Sequence, residues 1–196
     1  GNWKRSSDFD GNARSEAVTF TIGDQVYLTT GTTDRDRFKD LWEFNLVRQY
    51  WSQKADLPGV ARNSAIGFAI GTKGYVGTGY DGSNRLNDFY EYDPSSNTWT
   101  QKADFIGSAR YDAVGFSINN KGFISCGFDG NYLKDLYEYN PSSNSWTQKA
   151  SIGGSKRSAA QVFVLNDKAY ICSGNNNGSS LNDLWMYDSP SDTWTE

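Results

Sequence analysis

The stretch ARYDAVGFSINNKGFISCGFDGNYLKDLYEYNPSSNSWTQKA, residues 109–150, contains four short runs of apolar and polar residues in alternation, separated by Gly, Asn, Pro and Ser. Runs of this kind, bounded by turn residues, predict β-strands. The preceding part of the chain divides in the same way, into predicted strands at 65–70, 73–79, 88–93 and 98–102. Four short strands with no helical periodicity predict one blade of a β-propeller.

The pattern recurs along the whole chain of 196 residues, because successive tryptophans are separated by 48, 48, 47 and 48 residues. The recurring residues are Trp3, Trp51, Trp99, Trp146 and Trp194; Arg14, Arg62, Arg110 and Arg157; Phe20, Phe68, Phe116 and Phe163; Gly31, Gly79, Gly127 and Gly174; and Asp40, Asp88, Asp135 and Asp183. A fixed period of this length is typical of propellers and other repeat proteins. The sequence therefore predicts one all-β domain over 1–196, with an outer strand at 1–10 and blades at 11–52, 53–100, 101–147 and 148–196.

Most of the recurring residues have structural roles that require no ligand. A blade cannot bury both faces alone, so the recurring Trp and Tyr rings are expected to fill the wedge between blades. The recurring glycine is expected to allow a close approach of two backbones. The recurring Arg and Asp are expected to form an ion pair that ties a loop to a strand end.

The stretch 109–150 resembles a kelch repeat, with its leading Arg110, its glycine turn and the spaced aromatic and Trp of YNPSSNSW. It departs from that family because only the second glycine of the usual doublet is kept, in Thr30-Gly31, Thr78-Gly79, Cys126-Gly127 and Ser173-Gly174. The resemblance implies a fold like the central domain of galactose oxidase. The sequence is also similar to secreted or surface-anchored bacterial kelch arrays, which implies an exported protein of the periplasm, the cell surface or the extracellular space.

The number of strands leaves the closure of the ring open. The predicted strand around Trp3 is one more than four complete blades need, and the resemblance implies about five to seven blades. Three alternatives follow. The chain is the N-terminal part of a larger propeller of six or seven blades, which we favour, or a four-blade ring with a spare strand, or a chain that associates with another through open blade faces.

Composition restricts the chemistry. The chain has no His, so zinc sites built from His and Cys, the copper site of galactose oxidase and His-dependent triads are all excluded within it. We expect no cofactor and no metal; a Ca²⁺ site at Asp34 and Asp36 is a weaker interpretation than stabilised loop turns. Cys126 and Cys172 are expected to be buried free thiols. The net charge of −4 and the scattered Lys and Arg argue against nucleic acid, and no apolar run approaches the about 18 residues of a membrane span.

Function is expected where the repeats differ, which is just after the recurring Arg and in the loop between the second and third strands. Alternating strand directions place both zones at one end of the propeller. In kelch domains that bind peptides, residues at these places line the mouth of the channel. The resemblance therefore implies a ligand-binding site at Glu16, Asn63, Tyr111 and Asp112, with a rim of Tyr80, Arg85, Phe128 and Tyr132. Arg35, Arg37 and residues 175–177 also vary in these loops.

The expected function is non-catalytic binding of a glycan or of a peptide or protein partner, because exposed aromatic rings beside Asn, Asp and Arg suit both. The alternative is a sugar-processing enzyme similar to the sialic-acid mutarotases, which are kelch propellers that need no metal. Its candidate residues here are Glu16, Asp112, Arg62 and Arg110. A deep channel where Arg and carboxylates converge would favour the enzyme, and a shallow aromatic rim would favour recognition.

Overall fold

The computed structural model describes residue 2 and residues 5–196. This part of the chain is all-β and contains no helix, and therefore none long and apolar enough to cross a membrane. The strands form four antiparallel four-stranded sheets, each built from four strands in chain order apart from one inserted hairpin. The predicted fold class is confirmed.

Each sheet is one blade. Blade 1 comprises β1 (Val18–Ile22), β2 (Gln25–Thr29), β3 (Leu41–Asn45) and β4 (Tyr50–Lys54). Blade 2 comprises β5 (Ile66–Ile70), β6 (Lys73–Gly77), β7 (Phe89–Asp93) and β8 (Thr98–Gln101). Blade 3 comprises β9 (Val114–Ile118), β10 (Lys121–Ser125), β11 (Leu136–Asn140) and β12 (Ser145–Lys149). Blade 4 comprises β13 (Gln161–Leu165), β14 (Lys168–Cys172), β17 (Leu184–Asp188) and β18 (Thr193–Thr195), with the hairpin β15 (Asn175–Asn176) and β16 (Ser179–Ser180) between its second and third strands.

The predicted strands agree with these bounds to within two residues, and the fourth strands of blades 1 to 3 end one or two residues beyond the predicted blade boundaries. The outer strand predicted at 1–10 lies partly outside the described residues. Trp3 lies outside the described residues, and residues 5–10 form no strand. A fourth strand pairs with a third strand, and the described chain offers no third strand there. Phe9 packs instead against Trp42 and Trp51, with ring centroids 5.6 and 4.9 Å apart.

Neighbouring blades pack through their first strands. β1 lies beside β5, β5 beside β9 and β9 beside β13, whereas β1 and β13 do not touch in the described part of the chain. Phe20 and Phe68 each cover a glycine of the next blade. A Cβ on Gly74 would lie 2.2 Å from Phe20, and one on Gly122 would lie 2.4 Å from Phe68. The four blades therefore form an arc with three apolar interfaces and two open faces.

Aromatic rings fill the interfaces between blades, but the tryptophans contribute less to this packing than expected. Tyr92, Tyr139 and Tyr187 are fully buried, while Trp99 and Trp194 are half-buried on the outer strand. Three of the indoles tie the outer strand to the linker that enters the same blade, because their Nε1–H groups donate hydrogen bonds to backbone carbonyls of that linker. These hydrogen bonds are Trp99 to Ala55 O, Trp146 to Ala103 O and Trp194 to Ala150 O, at 2.8, 3.0 and 2.7 Å.

The recurring Arg and Asp form the expected ion pair in every blade. Arg110 is typical: it is fully buried, and its guanidinium donates to both carboxylate oxygens of Asp135 at 2.5 and 2.8 Å. It also donates to the carbonyls of Cys126 and Ser108. The equivalent pairs are Arg14 with Asp40, Arg62 with Asp88 and Arg157 with Asp183. Each pair holds the end of the second strand against the start of the third.

The residue that replaces the first glycine of the usual doublet has a left-handed backbone. Its φ is 62° at Thr30, 58° at Thr78, 62° at Cys126 and 59° at Ser173. This region is costly for β-branched residues. In addition, the hydroxyls of Thr30 and Thr78 are buried without a hydrogen-bond partner among the described residues. Thr30 and Thr78 therefore occupy this place in the repeat at an energetic cost.

Replacing Thr30 with glycine is expected to raise the free energy of unfolding by about 1 kcal/mol, because it removes backbone strain and an unsatisfied hydroxyl. Thr29→Gly is the matched control. Thr29 is equally buried and its hydroxyl is also unpartnered, but it lies in the extended strand β2. We expect that control to lose about 1–3 kcal/mol. Urea denaturation of both variants measures the difference, and equal losses would contradict the strain at Thr30.

Candidate functional site

Three side chains per blade face one end of the propeller and vary from blade to blade. They belong to the residue after the recurring Arg, the residue after the recurring Gly, and the residue that pairs with the latter across the second-to-third-strand loop. Directly opposed residues of antiparallel segments project to the same side. We call each set a variable triad. The triads are Ser15, Thr32 and Arg37; Asn63, Tyr80 and Arg85; Tyr111, Phe128 and Tyr132; and Ser158, Asn175 and Ser180.

The recurring glycine of the scaffold fixes the backbone that carries each triad. The recurring glycine follows the strained residue with φ near 100°, and its N–H donates across the blade boundary, as Gly79 does to Arg110 O at 2.8 Å. A Cβ on Gly79 would lie 2.9 Å from the carbonyl oxygen of Asn63. The glycine therefore lets the second strand pass close to the chain that carries the first residue of the same triad.

The triads of blades 1 and 2 are joined by Arg37. Its Nε donates to Asn63 Oδ1 at 2.6 Å, and its guanidinium carbon lies 5.2 Å from the centre of the Tyr80 ring. The Asn63 amide donates in turn to Glu16 Oε2, which also accepts a hydrogen bond from Ser64 at 2.9 Å. A continuous polar network therefore runs from the rim to the axis.

Aromatic rings join the triads of blades 2 and 3. The ring centroids of Tyr80 and Tyr111 are 5.5 Å apart, those of Tyr111 and Phe128 are 5.6 Å apart, and those of Phe128 and Tyr132 are 5.1 Å apart. The exposed Arg85 lies over Phe128, with 5.4 Å from its guanidinium carbon to the ring centre. The four half-buried rings and two guanidiniums form one surface. Neither Arg37 nor Arg85 forms an ion pair among residues 5–196.

A second set of equivalent residues surrounds the axis, one position after the first residue of each triad. Glu16, Ser64, Asp112 and Ala159 all have a left-handed backbone, with φ between 52° and 54°. The N–H of Ser64 donates to Glu16 O, that of Asp112 to Ser64 O, and that of Ala159 to Asp112 O, at 3.1, 3.1 and 2.9 Å. This backbone ladder places the carboxylates of Glu16 and Asp112 on either side of Ser64.

Burial raises the pKa of the Asp112 carboxyl above its usual range. The negative charge of Glu16 adds to this rise, and the neighbouring Ser64 hydroxyl partly opposes it. The folded state therefore binds a proton at Asp112 more tightly than the unfolded chain does. The stability contributed by this difference is present below the ordinary carboxyl pKa and is lost as pH rises through the raised value.

Asp112→Asn is expected to raise the melting temperature at pH 7, where the native carboxylate is disfavoured, and to have little effect at pH 3, where the carboxyl is protonated in both states. Asp81→Asn is the control of opposite sign. Backbone hydrogen bonds from Asn84 and Ser83 lower the pKa of Asp81, so its loss is expected to destabilise the protein at pH 7. Thermal melts of both variants at the two pH values check this. A destabilised Asp112→Asn at pH 7 would contradict the account.

The eight predicted site residues lie together at one end of the propeller. Glu16, Asn63, Tyr111 and Asp112 line or adjoin the axis, and Tyr80, Arg85, Phe128 and Tyr132 complete the triads of blades 2 and 3. The two arginines named for the enzymatic alternative do not lie on this surface. Arg62 and Arg110 are fully buried in their ion pairs, so neither reaches the channel mouth. Ser64 was not among the predicted residues, although its place in the repeat was the same as that of Glu16 and Asp112.

The cavity at the axis is small. It has a volume of about 210 Å³ and is lined by Glu16, Ser64, Asp112 and the alanines that follow each of them, with no arginine. Ligand pockets usually measure about 300–1,000 Å³. An open depression of about 500 Å³ lies beside blade 1, where Arg37, Lys39, Asp56 and Val60 line it. It is larger but touches only one triad, through Arg37.

The carboxylates and cysteines singled out in the sequence occupy the following positions in the described part of the chain. It contains no group of three or more His, Cys, Asp or Glu residues placed to hold a metal ion. In the loop of Asp34 and Asp36 both side chains are exposed, and the Thr33 hydroxyl accepts the N–H groups of Arg35 and Asp36, which stabilises a turn. Cys126 is a buried free thiol as expected, but Cys172 is free and only half-buried because it lies in the last blade.

The comparisons with known proteins agree with this architecture. The Kelch motif family matches residues 79–105 and 156–196. Among solved structures, that of YjhT superposes with a TM-score of 0.78 at 18% sequence identity, over 93% of this chain and 64% of that one. The chain thus spans less than two thirds of the YjhT chain, and the likeness shows the fold. No curated protein matches the sequence.

Proposed function

The chain is an array of kelch repeats folded as β-propeller blades, and we propose that it is a non-catalytic binding module that recognises a glycan or a peptide through its variable triads. The observation that carries this proposal is the contact between neighbouring triads. Residues from three blades, which share no sequence pattern, meet in one continuous surface of four rings, two guanidiniums and an amide.

The chemistry of the surface supports recognition. Half-buried rings supply rigid apolar contact at a low entropic cost, and a carboxylate or hydroxyl of a ligand can accept hydrogen bonds from Arg85 and Arg37. Arg37 and Arg85 form no ion pair among residues 5–196, so no carboxylate there has to be displaced. An exported location, implied by the resemblance to surface kelch arrays, is part of the same proposal.

The enzymatic alternative keeps the two carboxylates of Glu16 and Asp112 beside a small cavity. The two arginines named for it, Arg62 and Arg110, are buried in the scaffold and do not line this cavity. An enzyme would need Asp112 to move a proton, whereas a binding module would need the aromatic rim.

Glycan and peptide arrays, followed by calorimetry on the best ligand, test the proposal. Tyr132→Ala is expected to weaken binding about tenfold or more, as the loss of an aromatic hot spot does. Tyr50→Ala is the matched control, since Tyr50 is an exposed tyrosine on β4, far from the triads in the fold. Binding that survives Asp112→Asn but not Tyr132→Ala supports recognition. Turnover of a sugar anomer that is abolished by Asp112→Asn would overturn the non-catalytic proposal.

A further inference from the structure

The open depression beside blade 1, of about 500 Å³, lies between the second-to-third-strand loop of that blade and the linker that enters blade 2. Two backbone hydrogen bonds join these segments. The N–H of Arg62 donates to Phe38 O at 3.1 Å, and the N–H of Leu57 donates to Lys39 O at 2.9 Å. The two sides of the depression are therefore held in a fixed relation to each other.

The same place is exposed inside the array. The residues between blades 2 and 3 that are equivalent to Lys39 and Val60 are Asn87 and Ser108, and both are exposed although a blade lies on either side of them. The opening of the depression is therefore a property of this edge of the propeller and does not depend on the position of blade 1 in the array.

The lining of the depression is more apolar in blade 1 than in the other blades. Val60 is 52% exposed, whereas the linkers that enter blades 3 and 4 have Ser108 and Ser155 at this place. Phe38 stands where the other three blades have leucine. Those linkers form with serine, so the scaffold does not require an exposed valine. The depression therefore belongs with the variable positions of the repeat, where function is expected.

The charged side chains of the lining favour an acidic ligand. The Asp40 carboxylate is already satisfied, because Arg14 donates to both of its oxygens. Arg37, Lys39 and Asp56 form no ion pair among residues 5–196. Two cations and one carboxylate therefore remain to interact with a ligand. An acidic group beside an apolar one complements this lining.

Arg37 joins the depression to the variable triads. It lines the depression, and it also donates to Asn63 and lies over the Tyr80 ring in the triad of blade 2. A ligand on the triads therefore reaches the depression across a single side chain. A glycan would bring hydroxyls against Phe38 and Val60, which offer them no hydrogen-bond partner, whereas a peptide can supply an apolar side chain.

We propose that the depression binds an apolar side chain of an acidic peptide segment whose neighbouring residues lie on the variable triads. The apolar side chain packs against Phe38, Val60 and Ala61, and a carboxylate of the same segment accepts hydrogen bonds from Lys39 and Arg37. This inference rests on the proposed recognition function, and it narrows the ligand from a glycan or a peptide to a peptide.

An array of random dodecapeptides, probed with the labelled chain in parallel with a glycan array, tests the proposal. The peptides selected are expected to combine acidic and apolar residues. The double variant Lys39→Asn with Val60→Ser is expected to bind them about tenfold more weakly, because a buried apolar contact and a cation are lost. It gives blade 1 the residues of blade 2 at both positions, so the fold is expected to be kept, and a thermal melt verifies this.

Val60→Ser alone is expected to give part of this loss. Ile106→Ser is the matched control, because Ile106 is an exposed apolar residue on the next linker, outside the depression, with 60% of its surface accessible. Its affinity for the selected peptides is expected to equal that of wild type.

The outcomes separate this inference from the recognition function on which it rests. Weaker peptide binding by the double variant, but not by Ile106→Ser, supports the inference. Peptides that bind the double variant as tightly as wild type, yet lose affinity with Tyr132→Ala, would overturn it and leave the recognition function standing. Selection of glycans alone would do the same. Binding to neither array, or peptide binding that both Tyr132→Ala and the double variant leave unchanged, would overturn both.

Discussion

Arg110→Ala is expected to lower the free energy of unfolding by about 3–5 kcal/mol, the range observed when one partner of a buried ion pair is removed. The guanidinium of Arg110 is fully buried, and it satisfies both oxygens of Asp135 and the carbonyls of Cys126 and Ser108. Its removal leaves a carboxylate and a buried carbonyl without donors. Chemical denaturation monitored by tryptophan fluorescence measures the loss.

Two further variants separate this effect from a general loss of charge. Arg5→Ala removes a partner from the exposed pair of Arg5 and Asp8, and is expected to change stability little. Arg110→Lys keeps the charge without the planar fork, so it is expected to recover only part of the loss. An Arg110→Ala protein as stable as wild type would show that the ion pair does not support the blade.

Gly79→Ala is expected to cost about 3 kcal/mol or more. The φ of Gly79 is 104°, where only glycine is unstrained, and a Cβ would lie 2.9 Å from Asn63 O and 3.1 Å from Ala65 Cβ. Relief of that contact would pull Gly79 away from Arg110 O, which joins blade 2 to blade 3.

Gly71→Ala is the matched control, since Gly71 also has a positive φ, of 57°, but a Cβ there meets nothing within 4 Å. That change is expected to cost only about 1 kcal/mol. The difference in denaturation midpoint between the two variants isolates the close backbone approach. Equal losses would mean that φ alone determines the cost and that the backbones are not in tight contact.

The scaffold could be predicted from the sequence because its residues repeat. Arg110 and Asp135 have equivalents in all four blades, at a spacing of 25 or 26 residues, so their pairing needed no structure to be expected. The constancy of Gly79 and its equivalents likewise indicated a backbone requirement, and the structure gives its form, a φ near 100° and a carbonyl at the place of the missing side chain.

The position of the site could be predicted from the sequence, but the contacts between its residues could not. The difference between Tyr111 and Asn63 at one place in the repeat indicated a variable surface, yet no pattern in the sequence shows that Arg37 reaches Asn63 from the neighbouring blade. The enzymatic alternative named Arg62, although the same arginine was expected to form a scaffold ion pair, and the structure shows it fully buried in that pair with Asp88.

The closure of the ring remained open for a physical reason. Each blade contacts only its two neighbours, so the sequence of one repeat does not determine how many blades the propeller has. The preference for six or seven blades stays a prediction. Two features lie at the ends of the array. They are the exposed Phe163 and the strand expected around Trp3, which lies outside the described residues.

A triad exchange tests the central claim, that the repeated residues are scaffold and the variable triads bind, most directly. Tyr111→Ser, Phe128→Asn and Tyr132→Ser together give blade 3 the triad of blade 4, which that fold already accommodates. The account predicts a melting temperature close to that of wild type and the loss of binding to the glycan or peptide selected on the arrays. Wild-type affinity in the folded triple variant would contradict it.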